Sequence, residues 1–187
     1  MVYSEFWTYH IPNQILVKCH KTNYCFFHSF SCIKEQMDRT SAKYWDNKAI
    51  LAIDYGKKFT GLALFRVNSD PFPLAYGRLA YKDDEQLIKD LLKIIDEEFV
   101  EHIVLGVPYF TDGSASQMTK TVLAFREILI KNTKIPCDIQ DETLTTEEAK
   151  NRMKNSARYG FEVDMKEIDA LSAVIILEDF LRSSQIS

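Results

Sequence analysis

The sequence contains no apolar run long enough to cross a membrane. A transmembrane helix needs about 20 consecutive apolar residues, and the sequence of 187 residues contains no such run. The first ten residues also lack the charged and then apolar layout of a secretory signal. We therefore expect a cytoplasmic protein that has no membrane partner.

An excess of positive charge is also absent. The chain has 23 Lys and Arg residues against 27 Asp and Glu residues, which gives a formal net charge of −4. Proteins that bind nucleic acid over a wide face are usually basic. Any contact with nucleic acid is therefore expected to be local.

Cysteine is scarce as well. The four cysteines, at positions 19, 25, 32 and 137, match no common zinc pattern, although His20 and His28 lie among them. Reduced, unpaired thiols are the expected state in a cytosolic chain.

Residues 1–47 show no sustained hydrophobic period of two or 3.6. Strand-like stretches occur only at residues 15–17 and 25–27. We interpret this segment as an N-terminal extension that is poorly ordered or packs loosely on the domain. An alternative is that translation begins at Met37. The regular domain is predicted to span residues 48–187.

Apolar runs and turn signals predict an α/β fold in residues 48–187. Short turns join the first three strands, which favours antiparallel pairing. Later strands alternate with helices, which favours parallel pairing through right-handed crossovers. The prediction is a five-stranded mixed sheet flanked by helices. The predicted strands are 49–54, 60–67, 74–80, 102–108 and 135–140, and the helices are 82–100, 114–131, 145–155 and 165–181.

Acidic residues stand at the ends of three predicted elements. Asp54 ends the first strand, Asp141 and Glu142 follow the fifth, and Asp169 opens the last helix. Ligands gather at the carboxyl ends of parallel strands, so Asp54 and Glu142 are expected to meet if strands one and five are neighbours. Carboxylates suit Mg²⁺ or Mn²⁺, and two such ions would support cleavage of a phosphodiester. Turn capping, a solvated turn and a helix-dipole contact are the simpler interpretations.

Several residues are candidate substrate contacts. Lys58 lies in the first turn and could meet a phosphate. Ser114 precedes a predicted helix, whose N-terminus offers free N–H groups to an anion and which Ser114 could cap. Arg152, Lys154 and Arg158 form a modest basic cluster that could touch backbone phosphates. Ordinary capping and solvation explain the same residues nearly as well.

Five motifs in register resemble the YqgF-type family of pre-16S rRNA nucleases and Holliday junction resolvases. They lie in order between about residues 49 and 181. The motifs are Asp54-x-Gly56-x-Lys58-x-x-Gly61, Gly106-x-Pro108, Asp112-Gly113-Ser114, Asp141-Glu142-x-Leu144-Thr145-Thr146-Glu147 and Ile168-Asp169-Ala170-Leu171.

The resemblance implies an RNase H-like fold and a cytoplasmic hydrolase, a nuclease that matures the 5′ end of 16S rRNA in ribosome biogenesis. The resemblance also implies that the partner is structured RNA and that the protein is a monomer or homodimer. Its catalytic and metal-binding acids would be Asp54, Glu142 and Asp169. One alternative is a resolvase that cuts four-way DNA as a dimer. Another is a non-catalytic RNA-binding assembly factor. Phe59 and Thr143 stand where the family usually has arginine, which predicts weaker phosphate binding.

Overall fold

A computed structural model describes residues 8–11, 14–19, 22–27, 42–110, 112–143 and 145–186. It divides the chain into two compact units, Met1–Trp45 and Asp46–Ser187.

The first unit contains a three-stranded antiparallel sheet. Its strands are β1 (Thr8–Ile11), β2 (Gln14–Cys19) and β3 (Thr22–Phe27), in the order β1-β2-β3, and the short helix α1 (Ala42–Trp45) follows. Both strand-like stretches of the sequence lie in these strands. Poor order or loose packing of residues 1–47 stays a prediction. Met37, His20 and His28 lie outside the described residues.

The second unit is built on the predicted five-stranded mixed sheet. Its strands are β4 (Ala49–Asp54), β5 (Phe59–Arg66), β6 (Leu74–Ala80), β7 (Val100–Val107) and β8 (Cys137–Asp141), in the order β6-β5-β4-β7-β8. β4, β5 and β6 pair antiparallel, whereas β7 and β8 join in parallel. The predicted fold class is confirmed. The condition that strands one and five be neighbours was wrong, because β7 lies between β4 and β8.

The four predicted helices are also present. They are α2 (Asp84–Glu97), α3 (Gln117–Thr133), α4 (Thr145–Lys154) and α5 (Ile168–Ser184). In the part of the chain that the structure describes, none of the helices is both long enough and apolar enough to span a bilayer.

Alternation along β4 decides which side chains face which helices. Leu51 and Ile53 pack into one buried cluster with apolar residues of α2 and α3. Successive side chains of a strand point to opposite faces, so Ala52 and Asp54 face the other side of the sheet. α5 packs on that second face.

Small residues let α5 approach this face closely. The sheet presents Ala52, Gly61, Ala63 and Gly106, which the register of the strands places on one face. A Cβ atom at Gly61 would lie 1.9 Å from the carbonyl oxygen of Asp169. The first turn of α5 therefore rests directly on β5, beside the end of β4, because position 61 has no side chain.

Cys137 is buried and unpaired. Burial, the largest of several influences, raises the pKa of its thiol to about 11, so the thiol is protonated at neutral pH. The expectation of an unpaired thiol is confirmed at this position. The side chains of Cys19, Cys25 and Cys32 lie outside the described part of the chain.

Candidate active site

Asp54 and Glu142 meet at the carboxyl end of β4 although their strands are not neighbours. Glu142 follows β8, and its backbone N–H donates to the carbonyl of Val107 at 3.2 Å. The two strands are separated by β7, but β7 carries a glycine between the two acids. A Cβ atom at Gly106 would lie 2.2 Å from Glu142 Oε2. The missing side chain leaves the space through which Glu142 reaches across β7.

Burial and mutual repulsion raise the pKa of both carboxyl groups. Burial is the largest cause for Glu142, followed by the charge of Asp54, and together they raise its pKa to about 9. The pKa of Asp54 rises to about 6, through burial and the charge of Asp169, although a hydrogen bond from Glu142 opposes the rise. Without a cation, the pair therefore holds a proton more tightly than two isolated carboxyl groups would.

The carboxylate of Asp169 is held by an arginine. Asp169 Oδ2 accepts a hydrogen bond from Arg78 Nη1 at 3.2 Å, and the same nitrogen donates to the carbonyl of Met165 at 3.2 Å. Arg78 lies on β6 opposite Gly61, and its guanidinium packs 3.8 Å from the centre of the Phe59 ring.

The structure thus brings two of the three predicted acids together and places the third beside them in a different contact. Asp169 is near enough to Asp54 to raise its pKa. Within the described residues, no group of three Asp, Glu, His or Cys side chains is arranged to hold a metal ion in common. The ion pair between Asp169 and Arg78 is a physical reason why the three acids do not converge, because it draws the Asp169 carboxylate toward β6.

Thr143 fixes the turn that carries Glu142. Its backbone N–H donates to Asp141 Oδ1 at 2.8 Å, and its hydroxyl donates to the carbonyl of Tyr109 at 3.2 Å. Asp141 itself is exposed, and its carboxylate accepts hydrogen bonds from Thr143 that stabilise this turn. Thr143, at a position where the resemblance predicts arginine, therefore supports the backbone of Glu142.

Two clefts flank the acids. The first, of about 350 Å³, is lined mainly by aromatic and hydroxyl groups: Asp54, Pro108, Tyr109, Phe110, Glu142, Thr143, Thr145 and Thr146. The second, of about 460 Å³, carries four cations: its lining is Gly56, Lys57, Lys58, Phe59, Arg78, Met165, Lys166, Ile168 and Asp169. Lys58, a predicted substrate contact, is exposed and lines this second cleft.

Ser114 does not cap a helix, and that prediction was wrong. α3 begins at Gln117, and the hydroxyl of Ser116 accepts a hydrogen bond from the N–H of Thr119. Ser114 lies in the preceding turn, where its N–H donates to Asp112 Oδ1 at 2.8 Å. The capping box of Ser116 and Thr119 moves the helix start past Ser114.

The two predicted arginine contacts line neither of these clefts. Arg152 pairs with Glu148 at 2.6 Å and with Glu178 at 2.8 Å, so its charge is already neutralised. Arg158 is exposed, and its guanidinium lies 5.6 Å from the centre of the Tyr159 ring. Their role as substrate contacts stays a prediction.

Comparison with known proteins identifies the family. A family model described as "RuvX: Holliday junction resolvase" matches residues 48–183. The chain belongs to the RuvX family. This confirms the YqgF-type assignment that the five motifs predict.

Curated relatives of this RuvX-family chain carry a different description. A "Putative pre-16S rRNA nuclease" of Rickettsia akari (strain Hartford) is 33% identical over 138 residues, which cover 73% of this chain and 88% of the relative. One of Rickettsia peacockii (strain Rustic) is 34% identical over 142 residues, with the same shares covered. Among solved structures, Thermus thermophilus RuvC in complex with a Holliday junction substrate matches with a TM-score of 0.49 and 12% identity, covering 75% of this chain and 98% of that chain.

Sequence reasoning missed Arg78 in this RuvX-family site. The sequence places Arg78 on the third predicted strand, but its contact with Asp169 depends on the register between β5 and β6. That register shifts between Leu62 and Ala63, where β6 is irregular. The positive φ of 134° at Gly77 marks the same irregularity, and a glycine inside a predicted strand is the signal that could have pointed to it.

Raising the pH is expected to destabilise the metal-free protein. Folded Asp54 and Glu142 bind more protons than the unfolded chain, because their pKa values are raised to about 6 and about 9. The free energy of unfolding therefore falls as the pH rises from about 4 towards 9. Urea unfolding in EDTA, at about pH 5 and about pH 8, would measure this.

The variant Glu142→Gln tests the assignment of that pH dependence. This variant lacks one carboxyl group whose pKa is raised. Its stability should therefore depend less on pH and should exceed that of the unmodified protein at the higher pH. Glu101→Gln, at an exposed position of β7, is the matched control and should leave the pH dependence unchanged. An unchanged pH dependence in Glu142→Gln would contradict the pairing of Asp54 and Glu142.

Proposed function

We propose that this protein is a metal-dependent nuclease that hydrolyses phosphodiester bonds in structured RNA and processes the 5′ end of pre-16S rRNA. One observation carries the proposal. Asp54 and Glu142 are brought together at the carboxyl end of a central strand, and within the described residues neither carboxylate forms an ion pair with a protein cation. Membership of a nuclease family and the description of the Rickettsia relatives support it.

The donor set fits a hard divalent cation. Glu142 Oε2 is buried and has no hydrogen-bond partner among the described residues. A buried polar atom of this kind is costly unless something binds it. Carboxylate oxygens are the ligands that Mg²⁺ and Mn²⁺ prefer. We assign Asp54 and Glu142 as the residues that would hold the ion. Asp169, whose carboxylate is paired with Arg78 in this structure, is the third acid of the proposed set.

The residues at and around these acids would have separate roles in cleavage. A bound ion activates water and stabilises the leaving oxygen in such sites. Glu142 would give up its proton when a cation binds, because ligands must be deprotonated. Lys58, in the cationic cleft beside Asp169, would contact the substrate's phosphates. A nuclease of rRNA would act in the cytoplasm, with residues 48–187 as the nuclease domain and residues 1–47 as its extension.

Resolution of four-way DNA junctions is the second candidate, because the matching family model carries that description. A resolvase must cut two strands symmetrically, and a two-fold homodimer would supply the two sites. The two candidates therefore differ in both substrate and oligomeric state.

A side-by-side cleavage assay would separate the two candidates. The full chain would be incubated with labelled pre-16S leader RNA and with a four-way DNA junction, in Mg²⁺, in Mn²⁺ and in EDTA, and its mass in solution would be measured. We expect cleavage of the RNA that depends on the metal and stops in EDTA. Resolution of the junction by a dimer, with the RNA intact, would favour the resolvase. If neither substrate is cleaved and calorimetry detects no metal binding, the nuclease proposal fails and a non-catalytic factor is favoured.

A further inference from the structure

We propose that the cleft lined by Lys58, Arg78 and Lys166 binds a substrate phosphate that neighbours the one cleaved, with Arg78 as its principal donor. The ligand is a phosphodiester of a nucleic-acid strand. We call this site the Arg78 cleft. The inference deepens the proposed function and rests on it, because the acids assigned to cleavage lie next to the cleft.

The charge of the cleft differs from that of the protein as a whole. The chain carries a formal net charge of −4, yet Lys57, Lys58, Arg78 and Lys166 line a space of about 460 Å³. Among the described residues, the only acid in its lining is Asp169, which pairs with Arg78, so the cations of the lining outnumber its acids. Local positive charge of this kind attracts phosphates.

Arg78 is held in an orientation that leaves donors for a ligand. Nη1 is occupied by Asp169 and by the carbonyl of Met165. The face of the guanidinium packs on the ring of Phe59 at 3.8 Å, which fixes its plane. Within the described residues, Nε and Nη2 have no acceptor. These two nitrogens form an edge that can donate two parallel hydrogen bonds to one phosphate.

The position of Arg78 in the sheet separates its phosphate from the one at the acids. Gly61 on β5 lies opposite Asp54 on one side and opposite Arg78 on the other. Neighbouring strands are about 4.8 Å apart, so the two backbones lie roughly 10 Å apart at this level. A phosphate between Arg78 and Lys166 therefore belongs to a neighbouring nucleotide of the strand that crosses Asp54.

Binding of single-stranded RNA to the full chain tests this assignment. The chain would carry Asp54→Asn, so that no cleavage interferes, and affinity would be measured by fluorescence anisotropy over a range of salt concentrations. Arg78→Gln is expected to weaken binding about tenfold and to reduce the slope of log K against log salt by about 0.7, the value for one phosphate contact. Lys166→Ala should reduce the slope similarly, with a smaller loss of affinity.

Lys131→Ala is the matched control. Lys131 is an exposed lysine in the last turn of α3, at the opposite end of the sheet from the acids, and its removal should leave affinity and slope unchanged. If Arg78→Gln fails to fold, Lys166→Ala still decides. Lys166 is exposed, and its ammonium group has no partner in the described part of the chain. Unchanged affinity and slope in Lys166→Ala and in a folded Arg78→Gln would overturn the inference.

Neutral methylphosphonates, placed singly along the RNA, would locate the contact. One substitution next to the cleavage position should weaken binding to the chain with Arg78, and the same substitution should have little further effect in Arg78→Gln. A mere structural role of Arg78 would leave the methylphosphonate profile unchanged, and that result would overturn the inference.

Failure of the proposed function would look different. It would appear as intact RNA with the unmodified chain in Mn²⁺, whereas the binding measurements need no cleavage. A chain that cleaves RNA but shows no effect at Arg78 and Lys166 would overturn only the Arg78 cleft.

Discussion

Asp54→Asn is expected to abolish metal-dependent cleavage, with a loss on the order of 10³-fold or more. Asp54 lies beside the other two acids, since the carboxyl group of Glu142 and the charge of Asp169 both shift its pKa. Asparagine keeps the size of the side chain but removes the charge that a divalent cation requires. Initial rates of RNA cleavage in Mg²⁺ and Mn²⁺ would measure the loss.

Stability separates this effect from misfolding. Asp54 carries a raised pKa, so its ionised form is unfavourable in the metal-free fold. Asp54→Asn should therefore unfold in EDTA at the same or a higher urea concentration than the unmodified protein. Asp179→Asn, on the last turns of α5 away from the site, is the control and should cleave normally. Cleavage by Asp54→Asn at the full rate would remove the nuclease proposal.

Gly61→Ala is expected to lower the free energy of unfolding by about 3 kcal/mol, the upper part of the usual range for overpacking a core. The new Cβ atom would lie 1.9 Å from the carbonyl oxygen of Asp169 and 3.1 Å from the nitrogen of Ala170. These are backbone atoms at the start of α5, so the helix itself must move away from the sheet. Urea unfolding measures the change, and an unaltered midpoint would contradict such close packing.

Gly106→Ala provides a contrast with the same added methyl group. Its Cβ atom would meet Glu142 Oε2 at 2.2 Å and Ile176 Cδ1 at 2.5 Å. Both are ends of flexible side chains, which can move at lower cost than a helix backbone. We expect a smaller loss of stability than in Gly61→Ala, together with a large loss of cleavage because the Glu142 carboxylate is displaced.

Gly106 explains why Asp54 and Glu142 meet although their strands are not neighbours. Asp54 and Glu142 stand at element ends, and that placement follows from local apolar runs. Their convergence was expected through neighbouring strands, yet β7 lies between them. Gly106 removes the obstacle, because a position without a side chain lets Glu142 cross the intervening strand.

Arg78 shows the opposite case, a residue whose role no local pattern indicates. Its contact with Asp169 joins β6 to the start of α5, which lie far apart in the sequence. The packing of its guanidinium on Phe59 also gives that phenylalanine a role. A cation therefore reaches this part of the site from β6, although Phe59 itself supplies none.

The sequence by itself determined the order and type of the elements in residues 48–187, the family and the placement of Asp54 and Glu142 at element ends, because apolar periodicity, turn residues and motifs are properties of short stretches. Only the tertiary structure decided the strand order, the passage of Glu142 over Gly106 and the pairing of Asp169 with Arg78. Each of these depends on strand pairing or on the close approach of α5 to the sheet. Those are contacts between distant segments, and they form only when the whole sheet is assembled.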